Sequence, residues 1–241
     1  ARQVGAHVVV VDVGVATPVA GALDRNVRRG TADLSTGPAM TPDEAQRAFD
    51  VGREVARDAR SGLLVTGDMG IGNTTPSAAV IAAITGRPAE EITGRGTGID
   101  DAALSVKTEI VRRASARVRD ADPMAVLAEV GGLEIAAIAG YVTEAASRRI
   151  PVIVDGVIAL AGLLAAAALD DTILDCVIAG HRSTEPGATA VLEPLLDLGM
   201  RLGEGTGALL AVPLVQAAAR LITEMATIDQ VLGSTSTPEG V

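Results

Sequence analysis

The chain has 241 residues, of which 48% are hydrophobic and only 1% aromatic, so its core must be built from Ala, Val, Leu and Ile. A formal net charge of −10 argues against a nucleic-acid partner, because nucleic-acid binding depends on clustered Lys and Arg. The single cysteine, Cys176, excludes a disulfide framework and a cysteine-based metal site, and we expect it to be buried.

The two most apolar stretches do not suggest a membrane protein. Residues 157–169 are too few to cross about 30 Å of hydrocarbon, and residues 207–222 include Pro213 and Arg220. We therefore expect both to be buried helices. No basic start followed by an apolar run is visible, so we expect a cytoplasmic protein without membrane contact.

The first half of the chain alternates apolar runs with helical patterns. Residues 7–13 form a β-branched run that predicts a buried parallel strand. Thr41, followed by a proline and two acidic residues, predicts a helix that reaches about Arg60. Residues 62–66 predict a second short strand, and a helix is expected over residues 76–85.

The second half repeats this alternation. Helices are expected over residues 100–119 and 133–149, from Pro186 onward, and beyond Gly207. Strands are expected over residues 150–154 and 175–179. Such alternation predicts an α/β fold, namely a Rossmann-like parallel sheet covered by helices on both faces, with a small helical region from the termini. We expect a single domain over residues 1–232 and a flexible tail over residues 233–241.

The loop over residues 67–75 carries three glycines between a strand and a helix. Its backbone N–H groups, with Asn73 and Thr74 at the helix start, are suited to an anion or a ribose. A tight turn without a ligand is the alternative. The loop lacks the lysine of a P-loop and does not match the dinucleotide fingerprint.

Three further positions at loop ends are candidates for ligand contact. A glycine-dense loop over residues 94–98 precedes Lys107, which is either a mobile cation near the ligand or a solvated surface residue. Asp155 ends a strand and either holds ribose hydroxyls or caps the next helix. Ser183 and Thr184 precede a predicted helix, where they cap it, bind phosphate, or do both.

Glu204 is the candidate general base. Gly203 and Gly205 flank it, so its carboxylate is presented with little neighbouring bulk in an apolar segment. Burial would raise its pKa toward the range that suits a base. The alternative role is a carboxylate at the start of the helix near Gly207.

Together these segments resemble the nicotinate-nucleotide:dimethylbenzimidazole phosphoribosyltransferase family of cobalamin lower-ligand assembly. The resemblance covers nearly the whole chain. It rests on residues 10–15 (VVDVGV), 37–40 (GPAM), 67–75 (GDMGIGNTT), 94–101 (GRGTGIDD), 131–134 (GGLE), 181–187 (HRSTEPG) and 200–208 (MRLGEGTGA).

The resemblance implies phosphoribosyl transfer from nicotinate mononucleotide to 5,6-dimethylbenzimidazole or a related base, by a homodimer that needs no cofactor or metal. It places the base on Glu204. The implied substrate-binding residues are Asp68, Gly70, Ile71, Gly72, Asn73, Thr74, Gly96, Lys107, Asp155, Gly156, Ser183, Thr184 and Leu202.

Two departures from the family pattern bear on activity. The family usually has Glu where this chain has Asp68, a side chain shorter by one methylene. Family members also carry a segment before the first strand that helps to form the benzimidazole pocket and the dimer, and we expect it to be absent here. The alternatives are therefore a nucleotide-binding remnant without catalysis, and a hydrolase that uses water as the acceptor.

Overall fold

The computed structural model describes residues 1–190 and 192–233. The helices are α1 (Pro42–Asp58), α2 (Thr74–Thr85), α3 (Ala89–Ile92), α4 (Asp101–Arg117), α5 (Pro123–Val130), α6 (Leu133–Ser147), α7 (Gly156–Leu169), α8 (Thr206–Glu224) and α9 (Ile228–Gly233). The strands are β1 (Val11–Asp12), β2 (Leu23–Asp24), β3 (Leu64–Val65), β4 (Val152–Val154) and β5 (Val177–Ala179). The predicted flexible tail lies, from residue 234 onward, outside the described residues.

The main sheet is parallel and has β4 at its centre. Its order is β3-β4-β5, with Leu64 opposite Val152 and Val154 opposite Ala179. Successive side chains of a strand point to opposite faces. Val152 and Val154 join the large core that includes α6 and α7, whereas Ile153 packs on Ala208 and other residues of α8. Helices therefore cover both faces of the sheet, as predicted.

The predicted strand over residues 7–13 is wrong in extent and position. Only Val11–Asp12 is a strand, and it pairs in parallel with Leu23–Asp24 in a separate two-stranded sheet. Val8, Val9 and Val10 are 50–60% exposed. High β-propensity predicts an extended chain, but it does not specify which sheet the strand joins.

The predicted start signals of α1 and α4 are confirmed. The Thr41 hydroxyl accepts from the Glu44 N–H at 3.2 Å, and the Glu44 carboxylate accepts from the Thr41 N–H at 2.9 Å, which forms a capping box. At α4 the Asp100 side chain accepts from the Ala103 N–H at 2.8 Å. Each of these helices therefore begins where its polar cap predicts.

Helices α1 and α6 approach each other closely because each presents a glycine at the contact. A Cβ atom on Gly140 would overlap the carbonyl of Phe49, and one on Gly52 would overlap the carbonyl of Ala137. Beside this contact, the buried Glu144 carboxylate accepts from Arg53 Nε and from Arg57 Nη2, each at 3.2 Å. Small residues thus set the helix spacing, and an ion-pair cluster fixes its register.

Three local predictions need correction. Helix α7 is buried as expected, but only the first part of α8 is, through Gly207, Ala208, Ala211 and Val212. Helix α8 is long and apolar enough to cross a membrane, and 22% of its apolar 18-residue stretch is buried in the protein. The helix predicted from Pro186 is a short 3₁₀ helix, Pro186–Ala190, and Cys176 is partly exposed.

Candidate active site

Three chain segments meet beyond the carboxyl ends of the parallel strands, where ligands of parallel sheets bind. The Asp68 N–H donates to the Gly203 carbonyl at 2.9 Å, so the loop after β3 is held against the loop before α8. Gly156, at φ +80°, follows β4, and a Cβ atom on it would lie 2.6 Å from the Gly203 Cα. These backbones touch directly, and only glycine at position 156 permits the contact.

Lys107 is buried rather than solvated. Its side chain is 8% exposed, and Nζ donates to Thr74 Oγ1 at 2.9 Å and to the Gly94 carbonyl at 2.8 Å. Burial lowers the pKa of Lys107, and the nearby Glu185 carboxylate opposes that shift. The structure thus gathers three predicted binding residues, because Gly96 (φ +54°) approaches both Thr74 and Lys107.

Arg201, which was not predicted to be a site residue, links the group around Lys107 to the loop that carries Glu204. Its Nη2 donates to the Gly96 carbonyl at 2.6 Å. Leu202, the next residue, is 62% exposed and lines a shallow cleft with Gly156 and Ser183. Arg201 lies within the segment over residues 200–208 that carries the family resemblance. Its place in that segment is the sequence feature that could have identified it.

Asp68 is held by Asn73. The Asn73 amide donates to Asp68 Oδ2 at 2.8 Å rather than capping α2, although Asn73 is the N-cap residue. Glu134 of α6 lies beside this pair: burial raises the pKa of Glu134 to about 7, with a further increase from the charge of Asp68. Glu134 was not predicted to be a site residue, although it lies in the GGLE segment over residues 131–134.

Asp155 caps a helix, but not the one that follows it in sequence. Its side chain makes no capping bond to α7. Instead Oδ2 accepts from the N–H groups of Gly205 at 3.1 Å and Gly207 at 3.0 Å, at the start of α8. Asp155 is 4% exposed, and this burial raises its pKa against the lowering effect of those hydrogen bonds.

The two carboxylate oxygens of Glu204 have different surroundings. Oε1 accepts from the Thr206 hydroxyl at 2.6 Å. Oε2 is buried, and no hydrogen-bond partner for it lies among residues 1–190 and 192–233. A buried acceptor without a partner is costly, so Oε2 marks a place where a ligand donor fits. Thr206 is a further residue that sequence reasoning did not assign.

The remaining predicted residues are arranged unequally. The Ser183 hydroxyl accepts from the Glu185 N–H at 3.3 Å. Ser183 thus has the predicted capping role, but at the start of a short 3₁₀ helix. The Ile71 and Thr184 side chains are both exposed, so neither is enclosed with the others. The nearby His181 is buried, and its Nε2 accepts from the Leu198 N–H at 2.9 Å, which supports the loop and occupies that nitrogen.

No group of three or more His, Cys, Asp or Glu side chains in the described part of the chain is arranged to hold a metal ion. The charged groups of the site are instead one buried lysine, the arginine beside it, and several carboxylates with distinct partners. The arrangement combines a cationic recess, formed around Lys107 and Arg201, with the Glu204 carboxylate. Oε2 of that carboxylate has no partner in the described part of the chain.

The fold is that of a phosphoribosyltransferase, and the chain belongs to the family described as Phosphoribosyltransferase (DBI_PRT), whose model matches residues 1–231. Among curated relatives, the nicotinate-nucleotide–dimethylbenzimidazole phosphoribosyltransferase of Salinispora tropica is 51% identical over 256 residues, covering 95% of this chain and 70% of that protein. The protein of the same name from Chloroflexus aggregans is 52% identical over 240 residues, covering 94% of this chain and 68% of that protein.

The same relationship holds in three dimensions. The crystal structure of CobT from Thermus thermophilus superimposes with a TM-score of 0.88 at 46% sequence identity, covering 96% of this chain and 72% of that chain. The α/β fold and the family expected from the sequence are therefore confirmed.

Proposed function

We propose that this chain transfers the phosphoribosyl group of nicotinate mononucleotide to 5,6-dimethylbenzimidazole, giving α-ribazole 5′-phosphate and nicotinate. Relatives about 50% identical over nearly all of the chain are named for this transfer. The observation that carries the proposal is the Glu204 carboxylate: Thr206 holds Oε1, and the buried Oε2 has no partner in the described part of the chain. This is the disposition that a general base requires.

The proposed reaction is a single displacement at C1′ of the ribose. The lone pair of one benzimidazole nitrogen forms the new C–N bond, and the bond to nicotinate breaks with its electron pair on the departing pyridine nitrogen. The proton of the other benzimidazole nitrogen passes to Glu204 Oε2. The leaving group is a pyridinium that departs uncharged at nitrogen, so the base at the acceptor is the principal demand on the protein.

The substrate's phosphate is assigned to the cationic recess. Lys107 Nζ has one N–H left after its bonds to Thr74 and Gly94, and the N-terminus of α2 adds a favourable dipole. The loop beside this recess contains Asp68, Gly70, Gly72 and Asn73. The ribose is assigned to Gly156 and Ser183, on the other side of the cleft. Thr184, Ile71 and Leu202 complete the proposed binding set.

Turnover with and without the acceptor tests the proposal directly. The chain is incubated with nicotinate mononucleotide, with or without dimethylbenzimidazole, and nicotinate and ribotide are followed by chromatography. We expect ribotide that depends on the benzimidazole. Nicotinate released equally without the acceptor would identify a hydrolase, and nucleotide binding without any product would identify a binding-only remnant.

Glu204→Gln separates the base from the binding site. The amide preserves the size of the side chain but accepts no proton, so we expect kcat to fall by about 10³-fold. Nicotinate mononucleotide affinity, measured by calorimetry, should change by less than about twofold because the phosphate recess is untouched. Loss of binding in this variant would make Glu204 a structural residue.

Lys107→Met makes the complementary test. It removes the buried charge while keeping an unbranched side chain, and we expect KM for nicotinate mononucleotide to rise by about 30-fold, since hydrogen bonds to charged groups contribute roughly 2 kcal/mol. Thermal unfolding of the same variant shows whether the protein remains folded. An unchanged KM in a folded variant would remove the phosphate from this recess.

The proposed assembly is a cytoplasmic homodimer that pairs along α8. Leu210, Leu214 and Leu221 are 44–58% exposed and follow heptad spacing on one side of the helix, as in helix-pairing seams. A partly exposed free thiol, Cys176, suits a reducing compartment. Sedimentation should give a dimer, Leu214→Glu should weaken it, and the off-seam control Gln216→Glu should not. A monomer at all concentrations would contradict pairing.

A further inference from the structure

The proposed base needs more than a carboxylate in the right place. A carboxylate on a glycine-flanked loop can rotate about its side-chain torsions, and Gly203 and Gly205 both have positive φ values, at +77° and +99°. A freely rotating carboxylate would present its proton-accepting oxygen in the correct direction only part of the time. Some other group must therefore fix which oxygen of Glu204 faces the acceptor base.

Thr206 makes the contact that distinguishes the two oxygens. Its hydroxyl donates to Oε1 at 2.6 Å, at the short end of the range for a hydroxyl donor to a carboxylate. Thr206 is also the first residue of α8, so its backbone is fixed by the helix that follows. Oε2 remains buried with no partner in the described part of the chain.

Asp155 holds the backbone on both sides of Thr206. Its Oδ2 accepts from the N–H groups of Gly205 and Gly207, which flank Thr206 directly. A Cβ atom at position 207 would lie 2.6 Å from Asp155 Oδ1, so glycine at this position lets the carboxylate sit against the helix start. Asp155 in turn follows the central strand β4, and its N–H donates to Thr66 Oγ1 at 3.3 Å.

From these contacts we infer that Thr206 and Asp155 are positioning residues for Glu204: Asp155 fixes the start of α8, and the Thr206 hydroxyl then turns Glu204 so that Oε2 faces the acceptor nitrogen. This inference rests on the proposed function of Glu204. It adds a chain of contacts that links the orientation of the base to the end of the central strand. It also gives Asp155 a role that is distinct from holding ribose hydroxyls.

The experiment compares Thr206→Val with Thr206→Ser in the transferase assay. Valine keeps the shape and loses the donor, whereas serine keeps the donor and loses a methyl group. We expect kcat of Thr206→Val to fall by about 30-fold with KM for nicotinate mononucleotide within about twofold, because only the orientation of the base is lost. Thr206→Ser should retain kcat within about threefold.

The split between kcat and KM, together with the rescue by serine, is a readout that a merely structural role would not produce. A structural role for Thr206 predicts that Thr206→Val lowers the thermal stability and raises KM together with the loss of kcat. Equal kcat in Thr206→Val and the wild-type protein would overturn the inference.

Asp155→Asn and Asp155→Ala distinguish the two roles of Asp155. The asparagine oxygen can still accept from Gly205 and Gly207, so a positioning role predicts that Asp155→Asn keeps most of kcat and Asp155→Ala loses it. A rise in KM with unchanged kcat in either variant would instead make Asp155 a ribose contact and overturn its positioning role. If wild-type protein gives no transfer, the proposed function fails, and that outcome is distinct from any variant result.

Discussion

Helix α6 carries one glutamate near each end, and their surroundings are opposite. Glu144, near the C-terminal end, lies between Arg53 and Arg57, whose hydrogen bonds and charge hold its pKa below the usual value. Glu134, near the N-terminal end, lies beside the acidic Asp68 instead, and burial raises its pKa to about 7. Arginines support the fold where α1 meets α6, whereas Glu134 is a buried acid beside the ligand loops, and its hydrogen bonds with its own N–H and with Asn73 only partly offset the effect of burial on its pKa.

Opening the contact between α1 and α6 should have the largest effect on stability. In Gly140→Ala the new Cβ atom would overlap the Phe49 carbonyl, and the helices must separate or distort. We expect the free energy of unfolding to fall by roughly 3 kcal/mol, measured by urea denaturation. The matched control is Gly62→Ala, where a Cβ atom meets nothing within 4 Å. Equal stability of the two variants would contradict the close approach.

Glu134→Gln tests the raised pKa of this buried acid. A folded-state pKa of about 7 against an ordinary 4.5 means that the native protein binds more protons than the unfolded chain between these values. The contribution of Glu134 to wild-type stability must then fall as pH rises through this window, by roughly 3 kcal/mol. Glutamine does not titrate, so the variant should lose less stability between about pH 4 and pH 8.

The exposed Glu90 provides the control for that comparison. Glu90→Gln removes the same charge from the surface of α3, and its stability should follow the wild-type pH dependence. Urea unfolding at several pH values measures both variants. A Glu134→Gln curve parallel to the wild-type curve would show that Glu134 titrates normally.

Glu144→Gln should show the opposite sign and the smallest effect. The lowered pKa of Glu144 means that its pairing with Arg53 and Arg57 stabilises the fold above the ordinary carboxyl range and is lost on acidification. We expect a loss of about 1 kcal/mol near neutral pH that disappears at acid pH, because the partner arginines remain partly solvated. A difference that grows on acidification would be inconsistent with this pairing.

The sequence predicts helix starts and strand ends well, because they depend on contacts between residues that are close together in the chain. The capping box at Thr41 and the cap at Asp100 identify helix starts, and the glycine loops identify strand ends, because each depends on residues a few positions apart. The prediction of a strand over residues 7–13 was wrong for the opposite reason. Its pairing depends on Leu23–Asp24, which follow later in the chain, and that partner is not visible in the run of valines.

The same distinction applies to the site. Glu204 and Lys107 were selected through resemblance and residue type, but burial of Lys107 was not predicted, although it is the only lysine in a chain otherwise rich in arginine. Arg201 and Glu134 were missed because their contacts join residues that are far apart in the chain. Thr206 was missed for another reason: its partner is only two positions away, but only the geometry shows which oxygen of Glu204 it holds.

The hydrogen bonds at Asp155 have a consequence for how the protein folds. The bond from its N–H to Thr66 spans 89 residues, and the bond from the Gly205 N–H spans 50. Contacts that close such long stretches of chain form after local helices, because the entropy of loop closure must first be overcome. Refolding chains should therefore regain helical circular dichroism before they regain turnover, and a chain that has not yet docked α8 onto β4 is helical but inactive.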